Sequence, residues 1–299
     1  MLTKYLLKNT VTVFRKKADY TDIPNARLGM EIATAFSPTF QESVHYKQFR
    51  VDHINCKWVM PKHADKNKVL LYFHGGGYAS GSVQTHKSLV TQICKHSNTY
   101  AVLFDYRLSP EHKFPAPIED SIKVYQYLLD QGFEPFQIAF GGDSAGGGLA
   151  MATLLYLRDH QLAPLPKCYI GLSPWFDLTC NSESIKNNEQ TDAMINVEAM
   201  EHWIKNYIGD ADRKNPFISP LFASFKNLPP MYIQVCKVEV LYHDSLHFYE
   251  RAKAAGATIT LDEYGDLIHV WQAFWPILKE GREANEKLGK FIKQQLENI

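Results

Sequence analysis

Ser144 stands where a serine side chain can act as a nucleophile. Residues 142–146 read GDSAG, follow the apolar run 137–140 and open a helical stretch at 146–158. This strand–turn–helix setting presents the hydroxyl on a tight turn that only small neighbours permit. It also places the hydroxyl at a helix N-terminus, whose dipole favours developing negative charge. We therefore predict nucleophilic catalysis by Ser144 through a covalent intermediate.

A glycine run after an earlier apolar segment can supply the hydrogen-bond donors that such a reaction needs. Residues 74–77 read HGGG and follow the apolar run 68–73. Acyl transfer develops an oxyanion, and glycines let backbone amides face it without an intervening side chain. We predict an oxyanion hole formed by the amides of Gly76, Gly77 and Ala145. A phosphate-binding loop is the alternative, but the Lys-Ser/Thr pair that follows the glycines of such a loop is missing.

The general base should be a histidine that follows both the serine and the acid along the chain. His269 fits, because it lies on a loop after the last apolar run, 258–264. His74 precedes the glycine run and is better suited to holding that run by hydrogen bonds. His243 and His247 are four residues apart on a predicted helix and could share a metal ion, but a bare pair is more often solvated helix surface. A structural zinc site needs four protein ligands, and we predict no metal site.

The acid that orients the histidine should come from the end of the strand predicted at 231–235. Glu239 and Asp244 are the two candidates in the segment that follows this strand. Catalytic groups of parallel sheets collect at the carboxyl ends of the strands, so Glu239, which is nearer the strand end, is favoured. Asp244 falls in the predicted helix 243–255 and is kept as the alternative.

Strands and helices alternate along most of the chain, and this alternation positions the candidate residues. The apolar runs are bounded by Gly or Pro and lack a clean two-residue alternation, which is typical of strands buried on both faces. Strands are predicted at 68–73, 100–104, 137–140, 168–172, 231–235 and 258–264, an antiparallel hairpin at 48–59, and helices at 118–130, 146–158 and 243–255. We predict an α/β fold with a mostly parallel central sheet flanked by helices.

Two regions do not follow this alternation. Residues 1–40 are helical without strands, and residues from about 180 to 215 are polar and then helical. Both can fold over the sheet as a small helical cap, although an ordinary extension of the sheet edge would leave the same pattern. We divide the chain into an N-terminal helical part of the cap, 1–40, and a catalytic domain, 41–299, which carries the cap insertion at about 180–215.

The composition excludes several classes of function. Lys plus Arg and Asp plus Glu each number 32, so the formal net charge is zero, whereas a nucleic-acid-binding protein usually carries a basic excess. The five cysteines form no C-x-x-C pair, which indicates free thiols in a reducing compartment. The N-terminus lacks the roughly 7–15 apolar residues of a signal peptide, and no run approaches the ~18 that a membrane span needs. We expect a cytoplasmic protein without stable membrane insertion.

Four sequence motifs, taken in order, resemble those of the hormone-sensitive-lipase family of α/β-hydrolases, the bacterial family IV esterases. They are HGGGY at 74–78, DYRLSPE at 105–111 with FPA at 114–116, GDSAGG at 142–147 and DLIH at 266–269. The resemblance implies an α/β-hydrolase fold with a small helical cap and cofactor-free hydrolysis of short-chain acyl esters. Some family members carry Glu-Val-Leu in place of the usual acid motif Asp-Pro-Leu, and Glu239 begins that second form here.

This chain departs from the family pattern at one position close to the predicted acid. The resemblance also leaves two alternative functions open. Cys236 stands where the family commonly has Gly, and its Cβ could alter the loop that places Glu239. A binding protein on an inactive hydrolase scaffold would lack the catalytic histidine, but His269 is present. Amide hydrolysis is compatible with the same triad, because the pocket sets the choice of leaving group. The expected partner is a small-molecule acyl ester, and a homodimer formed through a sheet edge is compatible with the sequence.

Overall fold

The computed structural model describes residues 2–17, 19, 21–35 and 43–297. The strands in this part of the chain are β1 Val44–Val51, β2 Ile54–Pro61, β3 Asp65–Phe73, β4 Thr99–Phe104, β5 Ile138–Asp143, β6 Cys168–Leu172, β7 Met231–Cys236 and β8 Ile259–Tyr264. The α-helices are α1 Leu2–Lys17, α2 Ile23–Ala35, α3 Val83–Ser97, α4 Ala116–Asp130, α5 Ser144–Asp159, α6 Glu183–Asn187, α7 Val197–Ile208, α8 Tyr242–Ala254 and α9 Lys279–Glu297.

The strands form one sheet in the order β1-β2-β4-β3-β5-β6-β7-β8. Strands β3 to β8 pair in parallel, whereas β1 pairs antiparallel with β2, and β2 antiparallel with β4. The predicted α/β fold with a mostly parallel sheet is therefore confirmed, and the predicted hairpin extends over β1 and β2. Strand β5 continues to Asp143, three residues beyond the apolar run that predicted it. The apolar pattern missed this end because two of the added residues are glycines. A Cβ on Gly141 would lie 2.7 Å from the Ile170 side chain, so a larger residue there would crowd the neighbouring strand.

Successive side chains of the sheet enter two separate cores. In β3, Leu70 and Tyr72 belong to the core that α3 and α9 cover. Leu71 and Phe73 belong to the core that α4, α5 and α8 cover. All four side chains are fully buried, as expected where helices cover both faces of a parallel sheet. This packing holds the carboxyl ends of the strands at one edge, where the candidate residues lie.

The two predicted cap regions contain helices α1 and α2, and α6 and α7. The prediction for residues 1–40 is described only in part, since residues 1, 18, 20 and 36–40 lie outside the described residues. Arg15 of α1 donates hydrogen bonds to the carbonyl oxygens of Asp192 and Ile195, at 2.6 and 3.0 Å. This contact joins the N-terminal helix to the segment between α6 and α7. The assignment of both regions to one cap stays a prediction.

Helix length and polarity bear on membrane insertion. Among the described helices, none combines the length and the apolar character that a membrane crossing requires.

Candidate active site

Ser144 lies on a turn that only glycine neighbours allow. It is the first residue of α5 and has a φ of 52°, in the left-handed region. A Cβ on Gly142 would lie 2.5 Å from the carbonyl oxygen of Gly146, and a Cβ on Gly146 would lie 2.2 Å from that of Phe73. The side chains before and after Ser144 are buried, whereas Ser144 itself is partly exposed. The backbone therefore holds one hydroxyl at an accessible position above the sheet.

His269 and Glu239 form a direct hydrogen bond. The His269 Nδ1 atom lies 2.6 Å from Glu239 Oε2, and both residues are buried. The other carboxylate oxygen, Oε1, accepts hydrogen bonds from the Ser173 hydroxyl at 2.8 Å and from the Cys236 amide at 2.9 Å. The carboxylate is thus held at both oxygens, and the Nδ1–H group of His269 points at it. This arrangement leaves Nε2 as the nitrogen that can accept a proton.

The residues of this site follow consecutive neighbouring strands. Ser144 follows β5, Ser173 follows β6, Glu239 follows β7 and His269 follows β8, and these strands are adjacent in the sheet in that order. Carboxyl ends of parallel strands meet at the same edge, which is where α/β proteins bind their ligands. Burial acts to lower the pKa of His269, but the charge and hydrogen bond of Glu239, helped by the charge of Asp192, make the net shift upward. The charge of Asp143, the residue before Ser144, contributes to the same upward shift.

The glycine run lies against the N-terminus of α5. Gly76 and Gly77 have φ values of 117° and 64°, which glycine adopts without steric cost. The Gly75 amide donates to Asp143 Oδ1 at 3.1 Å, so the loop is bonded to the turn that carries Ser144. The predicted donors Gly76, Gly77 and Ala145 therefore lie on two segments that contact each other. Their role as an oxyanion hole stays a prediction.

His74 lies beneath the glycine run in a buried position. Its Nδ1 atom is 2.8 Å from the Gly75 carbonyl oxygen, and its ring stacks on Tyr106 with 4.2 Å between ring centres. Burial lowers the pKa of His74 to about 3. A neutral imidazole that donates to the backbone of the loop can hold its shape.

Asp244, the alternative acid, forms its hydrogen bonds away from His269. Asp244 Oδ2 accepts hydrogen bonds from the amides of Phe176 and Asp177, at 3.2 and 3.0 Å, and Oδ1 accepts one from the Ser182 hydroxyl. Burial, together with the nearby charge of Asp177, raises the pKa of Asp244 well above its usual range. The structure therefore brings Glu239 to His269, and it places Asp244 against the segment after β6.

The histidine pair on α8 contacts a single carboxylate. The Nε2 atoms of His243 and His247 lie 4.0 and 3.5 Å from Glu183 Oε2. Within the described residues, no group of three or more His, Cys, Asp or Glu side chains is arranged to hold a metal ion. The pair thus lies partly exposed beside an exposed glutamate.

The segment between α6 and α7 braces the loop that carries Glu239. Asn188 donates its side-chain amide to the carbonyl oxygens of Lys237 and Glu239, both at 2.8 Å. Asp192 Oδ2 accepts the amide of Val240 at 3.0 Å. These bonds connect the predicted cap insertion directly to the acid of the site.

Ser173 is a site residue that the sequence patterns did not indicate. Its hydroxyl donates to Glu239, and its amide donates to the carbonyl oxygen of Gln234 at 2.7 Å. The signal that could have found it is its place directly after β6, at the same edge as the other candidates. A serine at the end of a strand belongs to no recognised motif, so this signal is weak.

Comparison with known proteins places this geometry in a family. Residues 70–273 match a family of the α/β hydrolase fold. The chain is 37% identical over 243 residues to an acetyl-hydrolase of Streptomyces hygroscopicus, and the matched region covers 81% of each chain. It is 35% identical over 229 residues to an esterase of Acinetobacter venetianus, covering 76% of this chain and 75% of the other.

Solved structures agree with these sequence matches. The crystal structure of an esterase from the bacterial hormone-sensitive lipase family superposes with a TM-score of 0.94 at 35% identity, covering 99% of both chains. A hormone-sensitive lipase from a metagenome library superposes with a TM-score of 0.93 at 33% identity, covering 98% of both. This chain belongs to the hormone-sensitive lipase family of α/β hydrolases. The family and the fold that the sequence predicted are confirmed.

Proposed function

We propose that this hydrolase cleaves short-chain carboxylic esters through Ser144, His269 and Glu239, with an acyl-enzyme intermediate. That it acts on carboxylic esters accords with its relatives, which are named esterase and acetyl-hydrolase. The observation that carries the assignment of residues is the 2.6 Å hydrogen bond between His269 and Glu239. It lies at the edge of the sheet that also carries the Ser144 turn.

The mechanism follows from the direction of that bond. His269 donates Nδ1–H to Glu239, so Nε2 takes the hydroxyl proton as Ser144 Oγ attacks the ester carbonyl. The carbonyl oxygen becomes an oxyanion, and the amides of Gly76, Gly77 and Ala145 bind it. The C–O bond to the alcohol then breaks, and the alcohol leaves with the proton from His269. Water repeats the sequence on the acyl-enzyme, which releases the acid and regenerates the Ser144 hydroxyl.

Glu239 has two tasks in this cycle. It fixes the imidazole in the tautomer that leaves Nε2 free, and its negative charge stabilises the imidazolium that forms at each proton transfer. Its own orientation depends on the hydrogen bonds from Ser173 and Cys236. A glutamate held at both oxygens costs little reorganisation when the charge develops.

Aromatic side chains from α7 support a preference for small acyl groups. A Cβ on Gly77 would lie 2.7 Å from a carbon of the Trp203 ring, so this ring lies against the oxyanion loop. Next to it, Tyr207 stacks on Tyr78 with 3.8 Å between ring centres. We propose that the Trp203 ring limits the length of an acyl chain whose carbonyl binds at Gly77.

The experiment that tests the proposal compares p-nitrophenyl esters of increasing acyl length with the matching p-nitroanilides. We expect highest kcat/KM for the shortest acyl groups and much slower turnover of the anilides. A fluorophosphonate probe should label Ser144, as shown by peptide mass spectrometry. An enzyme that prefers the anilides, or a probe that labels no residue, would contradict the proposal.

The location, cofactor and partners expected from the sequence are further parts of this proposal. We propose that the enzyme works in the cytoplasm without a cofactor, on a small-molecule ester and with no nucleic-acid partner. A homodimer formed through a sheet edge is a further prediction, which analytical ultracentrifugation would test.

A further inference from the structure

A second buried pair of a carboxylate and a histidine lies directly behind the Ser144 turn. Asp143 precedes Ser144 and is 3% exposed, and His86, in the first turns of α3, is 6% exposed. The His86 Nε2 atom lies 3.3 Å from Asp143 Oδ2. Neither side chain takes part in the proton transfers proposed above, yet both lie in the core beneath the reacting groups.

The Asp143 carboxylate joins the serine turn to the oxyanion loop. Its Oδ1 atom accepts the Gly75 amide at 3.1 Å and the Tyr72 hydroxyl at 2.9 Å. A Cβ on Gly75 would lie 2.2 Å from Oδ2, so only glycine lets the loop approach this closely. Gly75 is bonded covalently to Gly76, the first of the predicted oxyanion donors. The position of this carboxylate therefore sets where the donor amides lie relative to Ser144.

The hydrogen-bond partners of His86 suit an imidazolium. Its Nδ1 atom lies 2.7 Å from Thr85 Oγ1. The Thr85 hydroxyl has one proton, which it donates to the carbonyl oxygen of Ser82 at 2.9 Å, and a carbonyl can only accept. With the hydroxyl proton directed to Ser82, Nδ1 donates to Thr85 while Nε2 donates to the carboxylate. Both ring nitrogens carry protons in this pattern.

The charges around the ring agree with that protonation. Asp143 faces His86 from the end of β5, Glu31 acts on it from α2, and Tyr72 and His74 lie beside its ring. Burial acts to lower the pKa of His86, but the charge and hydrogen bond of Asp143, together with the Ser82 backbone and the charge of Glu31, make the net shift upward. Burial acts to raise the pKa of Asp143, but the charge and hydrogen bond of His86, the Tyr72 hydroxyl and the charge of His74 together lower it.

We propose that His86 is a positioning residue for the proposed ester hydrolysis, which keeps Asp143 charged and thereby holds the oxyanion loop against the Ser144 turn. A buried carboxylate without its cation would take up a proton or move, because an unpaired buried charge is strongly destabilising. In either case it would accept the Gly75 amide less well. The transition state, which needs the donor amides, would lose more than the ground state. The inference rests on the proposed function.

The test uses substitutions of the full-length enzyme and two readouts of the oxyanion hole. H86Q keeps a hydrogen-bond donor but removes the charge, and H86F removes both. The first readout is the division of the effect between kcat and KM for a p-nitrophenyl ester. The second is the inhibition constant of a trifluoromethyl ketone, which forms a tetrahedral oxyanion on the serine and needs the same donors.

We expect H86F to lower kcat by ~10-fold, which is less than the 10²–10³ that deleting an oxyanion donor costs. H86Q should lose less, and KM should change little in both. The trifluoromethyl ketone should bind more weakly by a factor that follows the loss in kcat. A double-mutant cycle of H86Q with D143N should show strongly non-additive losses, because both residues act through one pair.

The chain offers a matched control whose histidine does not contact Asp143 or the oxyanion loop. His53 Nε2 lies 3.1 Å from Oδ1 of the fully buried Asp120, so H53Q removes the histidine from another aspartate–histidine pair. H53Q should leave kcat and the inhibition constant close to those of the wild type. If H86F does not fold, as judged by its thermal unfolding, H86Q and the cycle with D143N decide the question.

Two results separate this inference from the proposed function. A wild type that hydrolyses esters, with H86Q and H86F matching H53Q in kcat and in ketone affinity, would overturn the role of His86 alone. A wild type without esterase activity would overturn the proposed function and this inference with it. Additive losses in the H86Q and D143N cycle would also overturn the paired role.

Discussion

The thiol of Cys236 accepts a hydrogen bond from the backbone amide of Leu267 over 3.1 Å. It also contacts the carbonyl oxygen of Gly265, and the Cys236 amide donates to Glu239 Oε1 at 2.9 Å. One residue at the end of β7 therefore ties the loop that precedes His269 to the carboxylate that orients it. Cys236, which replaces the glycine common in the family, therefore connects the Glu239 loop to the loop that precedes His269.

Two substitutions of Cys236 should separate the contribution of its thiol hydrogen bonds to activity from the contribution of its packing. C236S keeps a group that accepts and donates, whereas C236V fills a similar volume without either capacity. A hydrogen bond contributes about 0.5–1.5 kcal/mol net, so C236V should lower kcat/KM by ~2- to 10-fold and C236S by less. Steady-state kinetics on one ester will check this order. Equal activity in C236V and the wild type would show that the contacts do not position the loops.

Replacement of Ser144 should remove the nucleophile and leave the fold intact. S144A should lower kcat by about 10⁴–10⁶-fold, as for other serine hydrolases that lose this residue. The control is S121A on α4, whose hydroxyl bonds the Pro117 carbonyl outside the site. The assignment of the nucleophile is wrong if S144A keeps more than a tenth of the wild-type activity in the same assay.

The acid can be tested with two isosteric substitutions. E239Q removes the charge that faces His269 and should lower kcat by roughly 10²–10⁴, toward the loss seen when a triad aspartate becomes an amide. D244N should stay active, because burial and Asp177 raise the pKa of Asp244 and favour its neutral form, which asparagine resembles. Measurement of kcat for both variants decides between the two candidates. A crippled D244N beside an active E239Q would transfer the role to Asp244.

The pH dependence should report the charge on His269. Only the neutral imidazole can take the proton of Ser144, so kcat/KM should rise with pH as His269 deprotonates. The net upward shift of its pKa places the midpoint of this rise above the usual value for histidine. E239Q removes the negative charge that contributes most to opposing burial, so the midpoint should move to lower pH. Profiles of kcat/KM for both enzymes will show the shift, and identical midpoints would contradict it.

The aromatic wall at the oxyanion loop should set the acyl length. W203A removes the ring that lies against Gly77 and should shift the best p-nitrophenyl ester to a longer acyl chain. W58A is the control, since Trp58 stacks on Phe49 and Phe133 away from this loop. Its acyl profile should match that of the wild type even where stability falls. An unchanged profile in W203A would show that another surface limits the chain.

Most of the fold could be predicted because it depends on local pattern. The apolar runs marked six of the strands to within a few residues, since strands buried on both faces need continuous apolar sequence. The pattern understated β5, because Gly141 and Gly142 continue the strand without an apolar side chain. It also left open whether the segments at 1–40 and about 180–215 form one cap, since that depends on contacts such as the one between Arg15 and Asp192.

The sequence by itself determined the parts of the site that are local. The GDSAG turn around Ser144 depends on glycines a few residues away, whose missing Cβ atoms permit close backbone contacts. The order of serine, acid and histidine then limited the partners to a few positions. Each of these inferences needs only the chain near one residue and the direction of the strands.

Tertiary structure decided which side chains meet. Glu239 rather than Asp244 reaches His269, Ser173 and Cys236 hold that carboxylate, and His86 faces Asp143. Most of these contacts join residues 30 to 66 positions apart. The contacts of Glu239 with His269 and Ser173 form because β6, β7 and β8 are neighbours, and the contact of His86 with Asp143 forms because α3 packs on the sheet. Strand order and the directions of side chains at strand ends come from the packing of the whole chain, which no local pattern records.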